Sequence, residues 1–174
     1  MGYKAYETPK DLFNDLDNEF HFTIDVAASH ENHLVSQYCT PRGFYIHGDV
    51  VGNDIPEQLS ELSGLQIDWF DHRIWCNPPY DNSIVYWLHE GSLLKAETSV
   101  FLLPDSTSVR WFHEYCMPRE VVAPYTAEYG GYQWNGWASP HQEVLFCNGR
   151  VKFNIDGVSQ RNPAAGNMLV VYRR

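Results

Sequence analysis

The sequence predicts an α/β sandwich with helices on both faces, parallel early strands and an antiparallel C-terminal hairpin. Three observations carry that reading. Short apolar runs alternate with segments of helical period over the first two thirds of the chain. Asn148-Gly149, a strong two-residue turn signal, stands between two strand-like runs near the C-terminus. Met168 to Tyr172 closes the chain as an apolar strand.

The elements follow in order. Thr8-Pro9 before Lys10-Asp11-Leu12-Phe13 predicts a helix start, with Thr8 as cap and Pro9 in the first turn. Leu12, Phe13, Leu16 and Phe20 share one helical face. Phe22 to Val26 reads as a buried strand carrying an acid, Asp25, near its end, and Ala27-Ala28-Ser29 are small enough for close approach of a ligand or backbone. Residues 42–66 have weak periodicity and read as a loop with a short helix at Ile55 to Leu62. Arg73 to Cys76 is a buried strand, and Ile84 to Lys95 an amphipathic helix with Trp87, Leu88 and Leu94 inward. Val100 to Leu103 is a strand closed by Pro104, Thr107 to Tyr115 a helix with Val109, Trp111 and Phe112 apolar, and Val121-Val122 a short strand. Residues 125–142 interleave Tyr125, Tyr129, Tyr132, Trp134 and Trp137 with Gly and Asn, without a clear period. Glu143 to Cys147 and Arg150 to Ile155 form the predicted hairpin around Asn148-Gly149. No repeat or linker interrupts the chain, so residues 1–174 read as a single domain.

Composition bounds the function. An apolar fraction of 44% with 15% aromatics excludes a disordered chain. No stretch has the length of a membrane span, and Met1 to Lys10 lacks a signal-peptide core, which predicts a cytoplasmic protein. Cys39, Cys76, Cys116 and Cys147 form no C-x-x-C pair and read as reduced thiols. Eight histidines show no metal spacing beyond His30-x-x-His33, so no metal is expected. The net charge of -10 argues against an extended nucleic-acid interface, because phosphate neutralisation drives such affinity. It leaves room for a local basic cleft from Arg110, Arg119, Arg150, Lys152, Arg161, Arg173 and Arg174.

Asn77-Pro78-Pro79-Tyr80 carries the chemistry. Asn77 offers a neutral carbonyl acceptor. Pro78 has no N–H and a locked φ, so its carbonyl can be aimed outward. Pro79 stiffens the turn and holds Pro78 extended. Tyr80 supplies a face for a planar ring. Two acceptors converging on one –NH2 hold it and oppose delocalisation of its lone pair, so that it can attack an electrophile. A bland reading, a Pro-rich turn that merely ends a strand, competes. In an α/β sheet ligands bind beyond the carboxyl ends of the strands, where Asp25, Asn77 and Pro104 all fall.

These residues, taken together and in order, resemble the phage-type DNA N6-adenine methyltransferases (the Dam-like family). The likeness runs through Tyr6-Glu7-Thr8-Pro9, Ile24 to Ser29 with Asn32, Trp75 to Tyr80 with Trp87, Leu103-Pro104, Thr107 and Trp111-Phe112. It continues through Gly149 to Phe153 and Leu169 to Tyr172. The resemblance implies a Rossmann-like sheet and methyl transfer from S-adenosylmethionine to adenine N6 in DNA after base flipping, in a phage- or prophage-encoded protein acting in a bacterial host. It implies Asn77, Pro78 and Tyr80 as catalytic residues. Tyr6, Thr8, Pro9, Asp25, Ala27, Asn77 and Pro79 fall on the cofactor side. Tyr80, Arg110, Tyr132, Trp134 and Arg150 fall on the DNA side, with residues 125–142 as a target-recognition insert; a packed loop or a dimer contact is the rival reading of that segment.

The sequence departs from the family pattern in four places. Tyr6 stands where Trp is frequent, Ser106 stands where an arginine is expected, and no glycine-rich turn follows Asp25. Residues 42–66 are also longer than the usual link, which leaves the ribose-binding acid open among Asp49, Asp54 and Asp68. The tetrapeptide fixes the reaction type more than the acceptor: RNA adenine, cytosine N4 and a protein glutamine amide present the same planar amine. A non-catalytic cofactor- or DNA-binding protein is the rival from another class.

Overall fold

A computed structural model describes residues 6–40, 43–46, 49–52, 64–155, 158–159 and 165–174. Along the chain run α1 (Lys10–Phe20), β1 (Ile24–Asp25), β2 (Gln37–Thr40), β3 (Gly43–Ile46), β4 (Asp49–Gly52), β5 (Arg73–Cys76), α2 (Ile84–Ser92) and β6 (Thr98–Pro104). A π-helix (Phe112–Cys116) follows, then β7 (Ala123–Tyr129), β8 (Tyr132–Ala138), β9 (Gln142–Cys147), β10 (Asn154–Ile155), β11 (Val158–Ser159) and β12 (Asn167–Arg173). Ten strands make one sheet in the order β4-β3-β2-β1-β5-β6-β12-β9-β8-β7.

The centre, β2-β1-β5-β6, is parallel. Both flanks are antiparallel: β3 and β4 on one side, β12, β9, β8 and β7 on the other. The mixed α/β class therefore holds, but the sheet is mostly antiparallel, which the expectation of one C-terminal hairpin understated.

Alternation across the central strands builds two cores. Ile74 and Cys76 of β5, Phe101 and Leu103 of β6, and Met168 and Val170 of β12 face one side, with Trp87 and Leu88 of α2 and Phe112 of the π-helix. Trp75, Val100, Leu102, Leu169 and Val171 face the other, with Leu12, Phe13, Leu16 and Phe20 of α1. Each such buried apolar side chain contributes about 1.5–3 kcal/mol, so helix docking rather than local propensity holds α1. A Cβ on Gly91 would lie 2.6 Å from the Phe101 ring, which shows how closely α2 sits on the sheet.

Several elements depart from the sequence reading for local reasons. Residues 43–46 and 49–52 are strands rather than loop, while the helix expected over 55–62 lies outside the described residues. The helix after the tetrapeptide ends at Ser92, because Leu94 takes a left-handed φ of 54°. The 107–115 helix is replaced by a short helical step into the π-helix. Val121 and Val122 are exposed and precede β7.

The largest correction concerns 125–142. These residues are β7, β8 and the first residue of β9, continuous with the sheet. Their period is two: Tyr125, Ala127 and Tyr129 share a face with Tyr132 and Trp134 against the α1 side. Gly130 and Gly131, at φ 60° and 72°, make the two-residue turn between them. Asn148-Gly149, by contrast, makes no hairpin with 150–155. Both edges of β9 are already taken by β8 and β12.

Candidate active site

Consecutive prolines end β5 because neither can donate to a ladder. β5 lies between β1 and β6 with all three parallel, so Asp25, Asn77 and Pro104 emerge on one rim. Asn77 is half-buried there, Pro78 is buried and Pro79 exposed.

The Asn77 side-chain nitrogen donates to the Tyr6 carbonyl (3.0 Å) and to Thr8 Oγ1 (3.2 Å). The N-terminal segment reaches it because Glu7 pairs with Asn154 through reciprocal backbone bonds of 2.9 and 3.0 Å. Among the described residues, nothing donates to Asn77 Oδ1 or to the Pro78 carbonyl, whereas the Pro79 carbonyl is taken by the Asp81 amide (2.9 Å). Two acceptors of the tetrapeptide are thus left for a donor from outside.

Tyr80 stands beside them, half-buried. Its hydroxyl donates to the Leu102 carbonyl (3.3 Å) and accepts from Asn167 Nδ2 (3.4 Å). Burial pushes this phenol well above its usual range, so it stays protonated and is no base. Its ring is near-parallel to Tyr6 (centroids 6.3 Å apart, 24° between planes) and edge-on to Phe153 (6.3 Å, 84°). Tyr6 is 47% exposed.

Asp25 is buried and accepts from the Ala27 amide and the Leu34 amide, both at 3.3 Å. It therefore clamps the turn that follows β1, with half-buried Ala27 beside it. Burial outweighs these two bonds and pushes its carboxyl up to about 7. Burial likewise pushes the Cys39 thiol up to about 12 and Cys147 to about 11, so neither is a thiolate nucleophile near neutral pH.

A sequence model of the DNA N-6-adenine-methyltransferase (Dam) family matches residues 58–174. The chain belongs to this family. The protein described as DNA N-6-adenine-methyltransferase from Haemophilus phage HP1 (strain HP1c1) is 28% identical over 123 residues, covering 67% of this chain and 60% of that one. The chain thus matches about three-fifths of the length of this curated relative. The family match takes in the tetrapeptide, β6 and β12; Tyr6, Thr8, Pro9 and Asp25 lie before it.

Within this Dam-family chain the other expected site residues are dispersed. Pro9 is the N-cap position of α1, and Thr8 makes no capping bond, its hydroxyl being turned to Asn77 instead. Arg110 is exposed and pairs with Glu114 (3.4 Å) in a cavity of about 400 Å³ that Asp81, Asn82, Val85 and Trp111 also line. Tyr132 is half-buried and its hydroxyl accepts from the Lys152 amide (3.1 Å). Arg150 is exposed. Trp134 has no exposed surface, and its indole donates to the Tyr129 carbonyl (3.3 Å). Its ring fills the core and offers no face to a base.

Of the three acids left open for ribose, Asp68 is exposed and precedes β5, at the end away from Asn77. Asp49 is the first residue of β4, and Asp54 lies outside the described residues. The basic skew dissolves in part: Arg173 pairs with Glu143 (2.8 Å) and Arg174 with Asp71 (2.8 Å). Among the described residues no three metal-ligating side chains cluster, and no helix is long and apolar enough to cross a membrane.

Sequence reasoning missed Asn167 and gave Phe153 no role at the site. Asn167 is 2% exposed; it donates to the Tyr80 hydroxyl and accepts from the Val151 amide (3.3 Å). It opens β12 opposite Pro104. A polar residue heading an otherwise apolar strand was the available signal.

Proposed function

We propose that this protein methylates the exocyclic N6 of adenine in DNA. The observation that carries the reading is the pair of acceptors without a donor among the described residues, Asn77 Oδ1 and the Pro78 carbonyl, next to Tyr80 at the carboxyl end of β5. Each would accept one N6 hydrogen, keeping the amine lone pair out of conjugation and aimed at the electrophile. Adenine N6 is buried in the duplex stack, so the base flips out at a cost of a few kcal/mol, which stacking on Tyr80 offsets.

The central parallel strands serve as the Rossmann-like half of the fold, with S-adenosylmethionine as donor. It supplies, when bound, a methyl group on a sulfonium. The rim suits a cation through the exposed Tyr6 ring, and small Ala27 leaves room for close approach. Tyr6, Asp25, Ala27 and Pro79 would hold the donor, with Pro9 seating the segment on α1. Thr8 is argued separately below.

DNA would approach along 148–155. Val151 and Phe153 are buried there, while Arg150 and Lys152 point out and can meet phosphates. Tyr132 lies against this stretch, and Arg110 lines the cavity shared with Asp81 and Asn82, which follow the tetrapeptide. With a phage protein among its relatives, the setting would be a bacterial cytoplasm.

The test is transfer of labelled methyl from S-adenosylmethionine to unmethylated duplex DNA, RNA and bulk protein in parallel. Label in N6-methyladenine of DNA is expected. Label confined to RNA, cytosine or glutamine, or donor binding without transfer to any of them, would overturn the reading.

A further inference from the structure

We infer that Thr8 is a positioning residue that locks the Asn77 amide in the orientation chosen by the Tyr6 carbonyl, with its oxygen toward the substrate; the inference rests on the proposed amine methylation. An asparagine amide is nearly symmetric in shape but opposite in polarity at its two ends. A flipped Asn77 would present –NH2 to the substrate's own –NH2, donor against donor, and reaction would stop. Something must therefore choose the end.

The choice is made at the far side of the side chain. The Tyr6 carbonyl can only accept, so the nitrogen must face it (3.0 Å). Thr8 Oγ1 accepts the second hydrogen (3.2 Å). With both hydrogens used, the oxygen is left to face outward.

Three observations free Thr8 for this task and hold it there. The helix it was expected to cap begins after Pro9 without a side-chain cap, so the hydroxyl is not engaged at the N-terminus of α1. Thr8 is 6% exposed, which shields the bond from competing water. Its neighbours are tied on both sides, Glu7 to Asn154 and Pro9 through its carbonyl to the Phe13 amide (3.0 Å). The segment is a splint across the end of β5, supplied by residues that lie before the family match.

The experiment compares the full-length protein with Thr8→Val, which keeps shape and removes the hydroxyl, and Thr8→Ser, which restores it. Nitrogen-15 NMR of the Asn77 side-chain amide, assigned by its loss in Asn77→Ala, reads the splint directly. Two distinct, slowly exchanging protons are expected in wild type, one of them shifted and fast-exchanging in Thr8→Val, with recovery in Thr8→Ser. Single-turnover methyl transfer should fall about tenfold in Thr8→Val, the worth of one neutral hydrogen bond, with donor and DNA affinities unchanged and the rate restored in Thr8→Ser.

An Asn77 amide already fast-exchanging in wild type, or unmoved by Thr8→Val, would overturn the inference. So would a Thr8→Val loss lying wholly in donor affinity, which would make Thr8 a donor contact. A wild-type protein that methylates nothing would sink the proposed function, and the amide spectrum would still decide the splint.

Discussion

The two rims of the central parallel strands are made from the same strands and use their polar groups in opposite ways. At the amino ends, every charge is answered by a neighbour. Arg73 meets Glu97 (3.0 Å) and the His21 carbonyl (2.6 Å), Arg174 meets Asp71 (2.8 Å) and lies over Phe70, and Thr23 bonds His72 (3.1 Å). At the carboxyl ends the polar groups are few and only half-used, and the Asp25 acid is buried with its carboxyl pushed up to about 7. Asn77 spends its nitrogen on the N-terminal segment and leaves its oxygen without a donor among the described residues, and the rings of Tyr6, Tyr80 and Phe153 pack on one another at this end. The difference teaches that ion pairs do not mark the end of the sheet that carries the candidate site. The saturated rim closes the fold; the rim with spare acceptors is where an amine can be held.

The contrast can be broken most decisively at Asn77. Asn77→Ala removes one of the two acceptors and should lower single-turnover methyl transfer by about 10²–10³-fold, the scale for removing one preorganised polar contact to a reacting group. Its melting temperature should stay near wild type. A rate within twofold of wild type would erase the distinction between the rims. Next in size is Tyr80→Ala, which loses base stacking worth about 1–3 kcal/mol. DNA affinity, read by titration of a labelled duplex, should fall accordingly, while Tyr80→Phe keeps the ring and most of the affinity.

Asp25 sharpens the comparison through pH. Its native carboxyl holds a proton up to about 7, whereas the unfolded group releases it at the ordinary 3.8. The native state therefore binds more protons between those values, so this group's contribution is fully present below pH 3.8 and lost as pH rises to about 7. The melting temperature of wild type minus that of Asp25→Asn should fall across that window, by on the order of a few °C. A flat difference would mean that Asp25 is solvated. The smallest effect belongs to the opposite rim. Arg174→Ala breaks an exposed pair worth about 0–1 kcal/mol, a loss that salt should mask and that leaves turnover unchanged.

What could be read from the residues alone follows the range of the interactions. The end of β5 was readable because Pro78-Pro79 stops a strand by covalent structure, without help from distant contacts. α1, β6 and β12 were readable because one buried face repeats at a fixed period. The antiparallel flanks were not. In β7 and β8 the alternation is real, but small residues at Ala127 and Gly136 interrupt the rings, and Trp137 faces the other core. Asn148-Gly149 has strong local turn chemistry, yet β9 had no free edge to accept the partner it would return. Within the candidate site, Asn77 and Tyr80 were proposed from the sequence, while the contacts that hold them were not. Thr8 lies 69 residues from Asn77 and Asn167 lies 87 from Tyr80, and no spacing rule spans such gaps. Trp134 shows the converse: an aromatic among glycines looked like a stacking platform and is a core residue, held by its hydrogen bond to Tyr129.

The measurement that bears most directly on the carboxyl rim as an amine-holding site is modification mapping of genomic DNA. The host should be a bacterium without adenine methylation of its own, making either the wild-type protein or Asn77→Ala at equal level. N6-methyladenine at one short recurring sequence in the wild-type cells, and its absence in the Asn77→Ala cells, is the predicted result. Unmodified adenine in both, or equal modification in both, would contradict the account.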